Sequence, residues 1–418
     1  MKHLAVPLLL SFVALPAELV GAIRFDLQGR RGPSARHLHK RGTIAGSTSL
    51  DDANNIAYTL NLTLGGSQFE VQIDTGSSDL YVAGNVPGSK NTGKTTSVTY
   101  AIGEAEGPIK TATMDFLGFT VENQAFLDLT ANSQNQTAGS GLIGLGPHTG
   151  SQIQEVLGNG SGDPPLDRIF QLDKSTPNYI TVLLGRADDP KDPIQGNLTI
   201  GEVLPRYSNL TSQPQLNVTR AGPHLPAEHV LHWQVYTDKN GVIGPDGQPI
   251  EVDSIVPSAP DGQLVVVFDS GYTLPQVPRA MSDAIYGRVQ GAEYNSEVGV
   301  WTIPCTQMLN ISFQFGGVNY PISPLDTSSS EFDMINAAGE TVCVGAFQPI
   351  SSAFSLLGEY DIILGMSFLR NVYALFDYGN FVEDTSSDLG DPFIKLLPTT
   401  NLTAAHSAFV QVRLSGVD

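Results

Sequence analysis

The chain has 418 residues, 41% of them apolar and 15% charged, with 43 glycines and 27 prolines. That is a globular, turn-rich composition, long enough for two cores and favouring β structure. The net charge of −20 leaves nothing to neutralise phosphates, so nucleic acid is excluded as a partner, and a chain this acidic is less strained in acid, where carboxylates are protonated.

Residues 1–22 read as a signal peptide. Lys2 and His3 precede an apolar core from Leu4 to about Leu15, and Val20-Gly21-Ala22 offers small residues for cleavage. Pro7, Pro16 and Glu18 argue against a spanning helix, no later run is apolar enough to span, and the C-terminal QVRLSGVD is not a lipid-anchor tail. The expectation is a protein that enters the secretory pathway, extracellular or vacuolar, with no membrane anchor. Residues 23–41 are short and basic and end in Lys40-Arg41, which reads as a propeptide closed by a dibasic processing site.

From about Thr43 the pattern becomes short strands and turns. Ala57–Leu64 and Gln68–Ile73 flank Gly65-Gly66, a hairpin signal. The second of these runs into Asp74-Thr75-Gly76-Ser77-Ser78, a strand delivering a carboxylate into a tight turn. Gly76 lets the backbone turn sharply beside the acid, and Thr75 and Ser77 bring hydroxyl donors within reach of it. Ser97–Tyr100 with Gly103 and Gly107 suggests another hairpin.

Gly139 to Gly146 reads GSGLIGLG and formally contains a dinucleotide-binding glycine pattern. The preceding ANSQNQTA cannot be a buried strand, and Pro147 follows where a helix is needed, so that reading fails. Gly196–Gly201 looks like the strand that closes a first lobe, residues 42–225. Leu204 to about Glu228, rich in proline and polar residues, reads as the linker to a second lobe, residues 226–418. His224, His229 and His232, with Glu228 among them, match no zinc motif and read as solvated loop histidines.

The second lobe repeats the plan of the first. Leu264 to Phe268 is an apolar run leading into Asp269-Ser270-Gly271, 195 positions after the first Asp. Pro278 to Val289 is a helix candidate. Ile363-Leu364-Gly365 pairs with Leu142-Ile143-Gly144, and glycine suits both places if two backbones pass closely there. A lone Asp-Thr-Gly is an ordinary turn, but two motif pairs at similar spacing indicate a diverged internal duplication of roughly 200 residues.

Cys305 and Cys343 are the only cysteines and both fall in the second lobe. In a secreted chain they are expected to form one disulfide, the alternative being two buried thiols. Eight N-x-Ser/Thr sites are glycosylation candidates for surface loops: Asn61, Asn135, Asn159, Asn197, Asn209, Asn217, Asn310 and Asn401.

The two Asp turns and the two apolar-apolar-Gly strands resemble the pepsin-like aspartic proteases over about residues 50–395. MSFLRNVYALFDYGN, from Met366, is similar to the fungal, basidiomycete-like branch. The resemblance implies an all-β, two-lobed acid protease fold with a deep cleft, and an endopeptidase whose nucleophile is a water held between Asp74 and Asp269. It implies a monomer acting on extended protein or peptide, without cofactor or metal. In such a site Ser77 would bond one carboxylate, and Thr75 and Ser270 would sit where the two turns grip each other. Tyr100 would be the tyrosine of the flap that closes over substrate.

Departures from the family pattern fall around the site. Tyr272 stands where the family commonly has Thr or Ser, with Thr273 next to it, and Tyr81 stands where it often has Trp. Ala101 replaces a flap glycine, and Met366 follows Gly365 where Asp is common. The alternative of a different class is a catalytically silent binding protein on the same fold. A two-carboxylate glycosidase also needs paired acids, but the duplicated turns give it no support.

Overall fold

The two Asp-bearing segments fold alike. Strand Ser67–Asp74 runs parallel to Ser140–Gly144, with Ile73 opposite Ile143 and Asp74 opposite Gly144. The chain then turns and returns as Leu80–Ala83, antiparallel to the other side of that same strand. In the second half Val265–Phe268 runs parallel to Ile362–Leu364, and after the Asp269 turn Gln276–Val277 pairs antiparallel to its far side. All four side chains of Val265–Phe268 are buried, as expected of a parallel strand covered on both faces. The duplication read from the motifs is therefore a duplication of topology.

The computed structural model describes residues 46–53, 55–99, 104–129, 137–172, 178–187, 196–219, 231–296, 298–336, 338–350, 358–382 and 390–415. An eight-stranded sheet takes all its strands from residues 51–144, and five-, four- and three-stranded sheets take theirs from residues 234–364. A six-stranded sheet joins the halves, pairing Tyr179–Leu183 with Val372–Asp377. The result is the expected two-lobed, mostly β architecture.

The first hairpin forms as read. Ala57–Leu64 pairs with Ser67–Asp74 across Gly65 and Gly66, whose φ values of 57° and 84° are the positive pair that a two-residue hairpin turn needs. Lys90–Thr99 and Glu104–Phe116 form the second hairpin, with Thr99 opposite Glu104. Its tip, including Tyr100, Ala101 and Gly103, lies outside the described residues. So do the expected signal peptide and propeptide, Asn135, His224, Glu228 and His229.

The helix candidate is Arg279–Tyr286, with Pro278 at its N-cap and Gly287 at its C-cap. The segment expected to be a linker is less loose than its composition suggested. Pro205–Ser212 is a 3-10 helix with Leu210 buried, and Leu216–Asn217 joins the edge of the six-stranded sheet. Cys305 and Cys343 are bonded as a disulfide. Asn61, Asn159, Asn209, Asn217, Asn310 and Asn401 are exposed, whereas Asn197 is half-buried in its strand.

Ion pairing also ties the halves together. Asp326 is buried and accepts from Arg370 Nε at 2.6 Å, from Asn371 Nδ2 at 2.9 Å and from Arg186. Burial alone would raise its pKa, but the two guanidiniums outweigh it and hold the carboxyl below its usual range. Other scaffold carboxyls go the opposite way. Burial raises Asp79 and Asp361 despite their hydrogen bonds, and pushes Asp377 up to about 6.

These shifts set the direction of pH dependence. The raised carboxyls contribute stability that is complete below about pH 4 and is lost as pH rises through their folded values, near 6 for Asp377. Asp326 contributes above about pH 4 and is lost as pH falls through its depressed value. Denaturant midpoints measured across pH should therefore peak near about pH 4, and Asp377→Asn should flatten the fall toward neutrality. A midpoint that keeps rising to pH 7 would contradict this.

Candidate active site

Each Asp turn is held first by its own backbone. The Gly76 amide donates to Asp74 Oδ1 at 2.9 Å, and the Gly271 amide donates to Asp269 Oδ1 at 2.7 Å. The Ser77 hydroxyl donates to the other oxygen of Asp74. At the matching place in the second turn stands Tyr272. Thr273 does not make up for the missing hydroxyl near Asp269, because its Oγ1 donates instead to the Ile56 carbonyl at 2.8 Å.

The turns then hold each other. Thr75 Oγ1 accepts from the Ser270 amide at 2.9 Å and donates to the Phe268 carbonyl at 2.9 Å. Ser270 Oγ accepts from the Thr75 amide at 3.0 Å and donates to the Ile73 carbonyl at 3.1 Å. Both residues are fully buried. Two hydroxyls thus satisfy two amides and two carbonyls that water cannot reach.

This grip brings the acids together. A Cβ on Gly76 would collide with the Asp269 carboxyl, and one on Gly271 would crowd the Asp74 carboxyl, so each acid lies over the other turn's glycine. Burial raises Asp269 well above the ordinary carboxylate range, and the neighbouring Asp74 carboxyl raises it further. Such a pair carries one proton between its members in the pH range between its two macroscopic pKa values.

Close backbone passage explains the paired glycines. A Cβ on Gly144 would collide with the Ser78–Asp79 backbone, and one on Gly365 with the Tyr272 carbonyl. The first turn is also fixed from behind. The Leu145 amide donates to the Asp74 carbonyl at 2.7 Å, and the Leu145 carbonyl accepts from Trp233 Nε1 at 2.8 Å and from the Tyr378 hydroxyl at 2.7 Å.

Around the dyad stands an aromatic wall. Tyr272 packs with Val256, Val265, Val267, Tyr360 and Ile363, and burial, with help from the fields of Asp269 and Asp74, raises the pKa of its hydroxyl. Tyr81 is 8% exposed and packs under the second hairpin with Val98, Ala105 and Ile109.

His232 is a correction to the sequence reading. It is not a solvated loop residue: its Nδ1 lies 3.1 Å from the Gly76 carbonyl and its ring meets Tyr360 edge-on at 5.7 Å. The physical reason is its neighbour. Trp233 is fully buried and its carbonyl accepts from the Phe268 amide at 2.9 Å, so residue 232 is drawn into the site. The signal available in the sequence was the run Trp233-Gln234-Val235, which marks a strand starting one residue later.

The grip and the carboxyl contacts should separate on mutation. Ser270→Ala strands the Thr75 amide and the Ile73 carbonyl and should cost about 2–3 kcal/mol of stability. Ser77→Ala removes a donor from a half-buried turn and should cost less than about 1 kcal/mol, while changing the pH profile of activity. Equal stabilities by denaturant unfolding would show that the grip is not structural.

Comparison with known proteins agrees with the geometry. The profile of the eukaryotic aspartyl protease family matches residues 57–382. Major aspartyl peptidase 1 of Cryptococcus neoformans is 28% identical over 82% of this chain and 71% of its own length. The aspartic protease of Phaffia rhodozyma is 24% identical over 90% of this chain and 89% of its own. Secreted aspartic protease 8 of Candida albicans is 25% identical over 81% of this chain and 76% of its own. The chain belongs to the eukaryotic aspartyl protease family.

Proposed function

We propose that this chain is a secreted aspartic endopeptidase working in acid, with Asp74 and Asp269 as its catalytic dyad. The observation that carries the reading is the crossing of the two carboxyls, each over the other turn's glycine, in a buried site that raises Asp269. Peptide hydrolysis needs a base to activate water and an acid to protonate the carbonyl oxygen. Two carboxyls sharing one proton supply both. That division of labour is the established behaviour of aspartic proteases and not a deduction from this chain.

The roles follow from the hydrogen bonds. Asp74 accepts from the Gly76 amide and the Ser77 hydroxyl and takes the part of the base. Asp269, raised by burial and then by the neighbouring Asp74 carboxyl, keeps the proton, so it is the acid. As water attacks the peptide carbonyl, Asp74 takes a proton from it and Asp269 gives its proton to the carbonyl oxygen. When the tetrahedral intermediate collapses, the proton on Asp74 passes to the leaving amine. The hydroxyl proton of the intermediate returns to Asp269.

The substrate is a protein or peptide in extended conformation, covered by the hairpin that carries Tyr100. The wall of Tyr272 and Tyr360 favours apolar side chains beside the cut. The presence of a secreted enzyme among the relatives supports export, as do the signal-like residues 1–22 and the dibasic Lys40-Arg41. No helix among the described residues is long and apolar enough to cross a membrane.

The dyad is tested by substitution. Asp74→Asn and Asp269→Asn should each remove nearly all hydrolysis of an acid-denatured protein while leaving the folded state intact. The double variant should be little worse than either single one, because the two act as a unit. A single variant that keeps substantial activity would overturn the assignment.

Tyr272 is expected to narrow the site. Tyr272→Thr should widen the range of residues accepted next to the cut, as read by mapping cleavage sites in a denatured protein. An unaltered map would show that its ring does not meet substrate.

A further inference from the structure

The dyad has a third titratable neighbour for which the two-carboxyl reaction has no use. His232 is half-buried by area, its ring densely surrounded by protein atoms. Its Nδ1 meets the Gly76 carbonyl at 3.1 Å. A carbonyl oxygen only accepts, so Nδ1 carries a hydrogen in both charge states, and the titrating proton sits on Nε2. Gly76 is therefore engaged at both ends: its amide donates to Asp74 and its carbonyl accepts from His232.

Several titratable groups bear on the imidazole. Asp74 in the first turn acts on it directly. Tyr360 faces it edge-on, and Tyr360 in turn feels Tyr272, Glu359 and Asp269. Burial pulls the His232 pKa down, while the Gly76 carbonyl and the Asp74 charge oppose that loss. The ring is thus neutral at pH 7 and takes up its second proton only in acid.

We propose that His232 is a positioning residue of the dyad: as a cation in acid it stays bonded to the Gly76 carbonyl and favours the ionised form of Asp74, extending activity to lower pH. The inference rests on the dyad reading above. The coupling is reciprocal, since a cation that favours the Asp74 carboxylate is itself favoured by it. No proton passes from His232 to substrate. It acts through Asp74 alone.

The test is a pH profile of kcat/KM on a peptide substrate for three proteins. His232→Phe keeps an aromatic edge for Tyr360 and removes the charge. His232→Asn keeps an amide donor for Gly76 and also lacks the charge. Both should move the acid limb upward by about one pH unit, the low end of what an opposite charge does to a carboxyl it acts on. The acid limb should move more than the alkaline limb, because the imidazole charge is fuller at lower pH. An unmoved acid limb in either variant overturns the charge role, even if the variant is less stable.

A second reading of the same coupling needs no turnover. The imidazole resonances of His232, identified by their loss in His232→Phe, should titrate at lower pH in Asp74→Asn than in the parent. Identical titrations overturn the inference even in an active enzyme. A parent without peptidase activity would instead sink the proposed function, and the charge coupling would still be decided by the resonances.

Discussion

The structure depends on four hydrogen bonds that Thr75 and Ser270 make across the two turns, two with each other and two to the Phe268 and Ile73 carbonyls. Both residues are fully buried, so each unmade bond would leave a buried backbone group unpaired at about 1–3 kcal/mol. Because every donor and acceptor is taken by the other turn, neither turn can shift alone. That rigidity is what two like-charged groups require. Left free, the carboxyls of Asp74 and Asp269 would move apart into solvent; held, they must share a proton. The glycines at 76 and 271 are the steric counterpart, since any side chain there would occupy the space of the opposite carboxyl.

The same preference for acid runs beyond the site. Asp79, Asp361 and Asp377 are all raised by burial, so the scaffold as well as the dyad favours protonated carboxyls. The net charge of −20 acts in the same direction over the whole surface. Asp326 is the counterexample that sets the lower boundary. Clamped by Arg186 and Arg370 between the two halves, it must stay ionised. A stability optimum in mild acid follows from these opposed groups and needs no special feature of the dyad.

Much of this was legible in the chain because the constraint was local. A buried parallel strand reads as VVVF, a sharp turn beside an acid reads as Asp-x-Gly, and a close backbone crossing reads as an apolar pair followed by Gly. The duplication of these signals gave the topology, and the two cysteines allowed a single pairing. What stayed hidden depends on distant partners. Nothing near His232 reveals that Gly76, 156 positions away, will accept from it. The neighbour that draws it in, Trp233, is itself fixed by Leu145 and Tyr378. The sequence left open whether Thr273, next to Tyr272, supplies a hydroxyl near Asp269; its oxygen turns to Ile56, 217 positions away. The segment after Leu204 looked like a linker by composition, but Leu210 and Leu216 anchor it in the core.

The central claim is that Asp74 and Asp269 hold one proton between them, resident on Asp269. Neutron diffraction from deuterated crystals grown in acid, at a pH where the enzyme is active, reads this directly. The account predicts a single deuteron on the Asp269 carboxyl, an ionised Asp74 accepting from Ser77 and Gly76, and a solvent molecule between the two acids. Two deuterons on the pair, none, or a deuteron on Asp74 with Asp269 bare would contradict it.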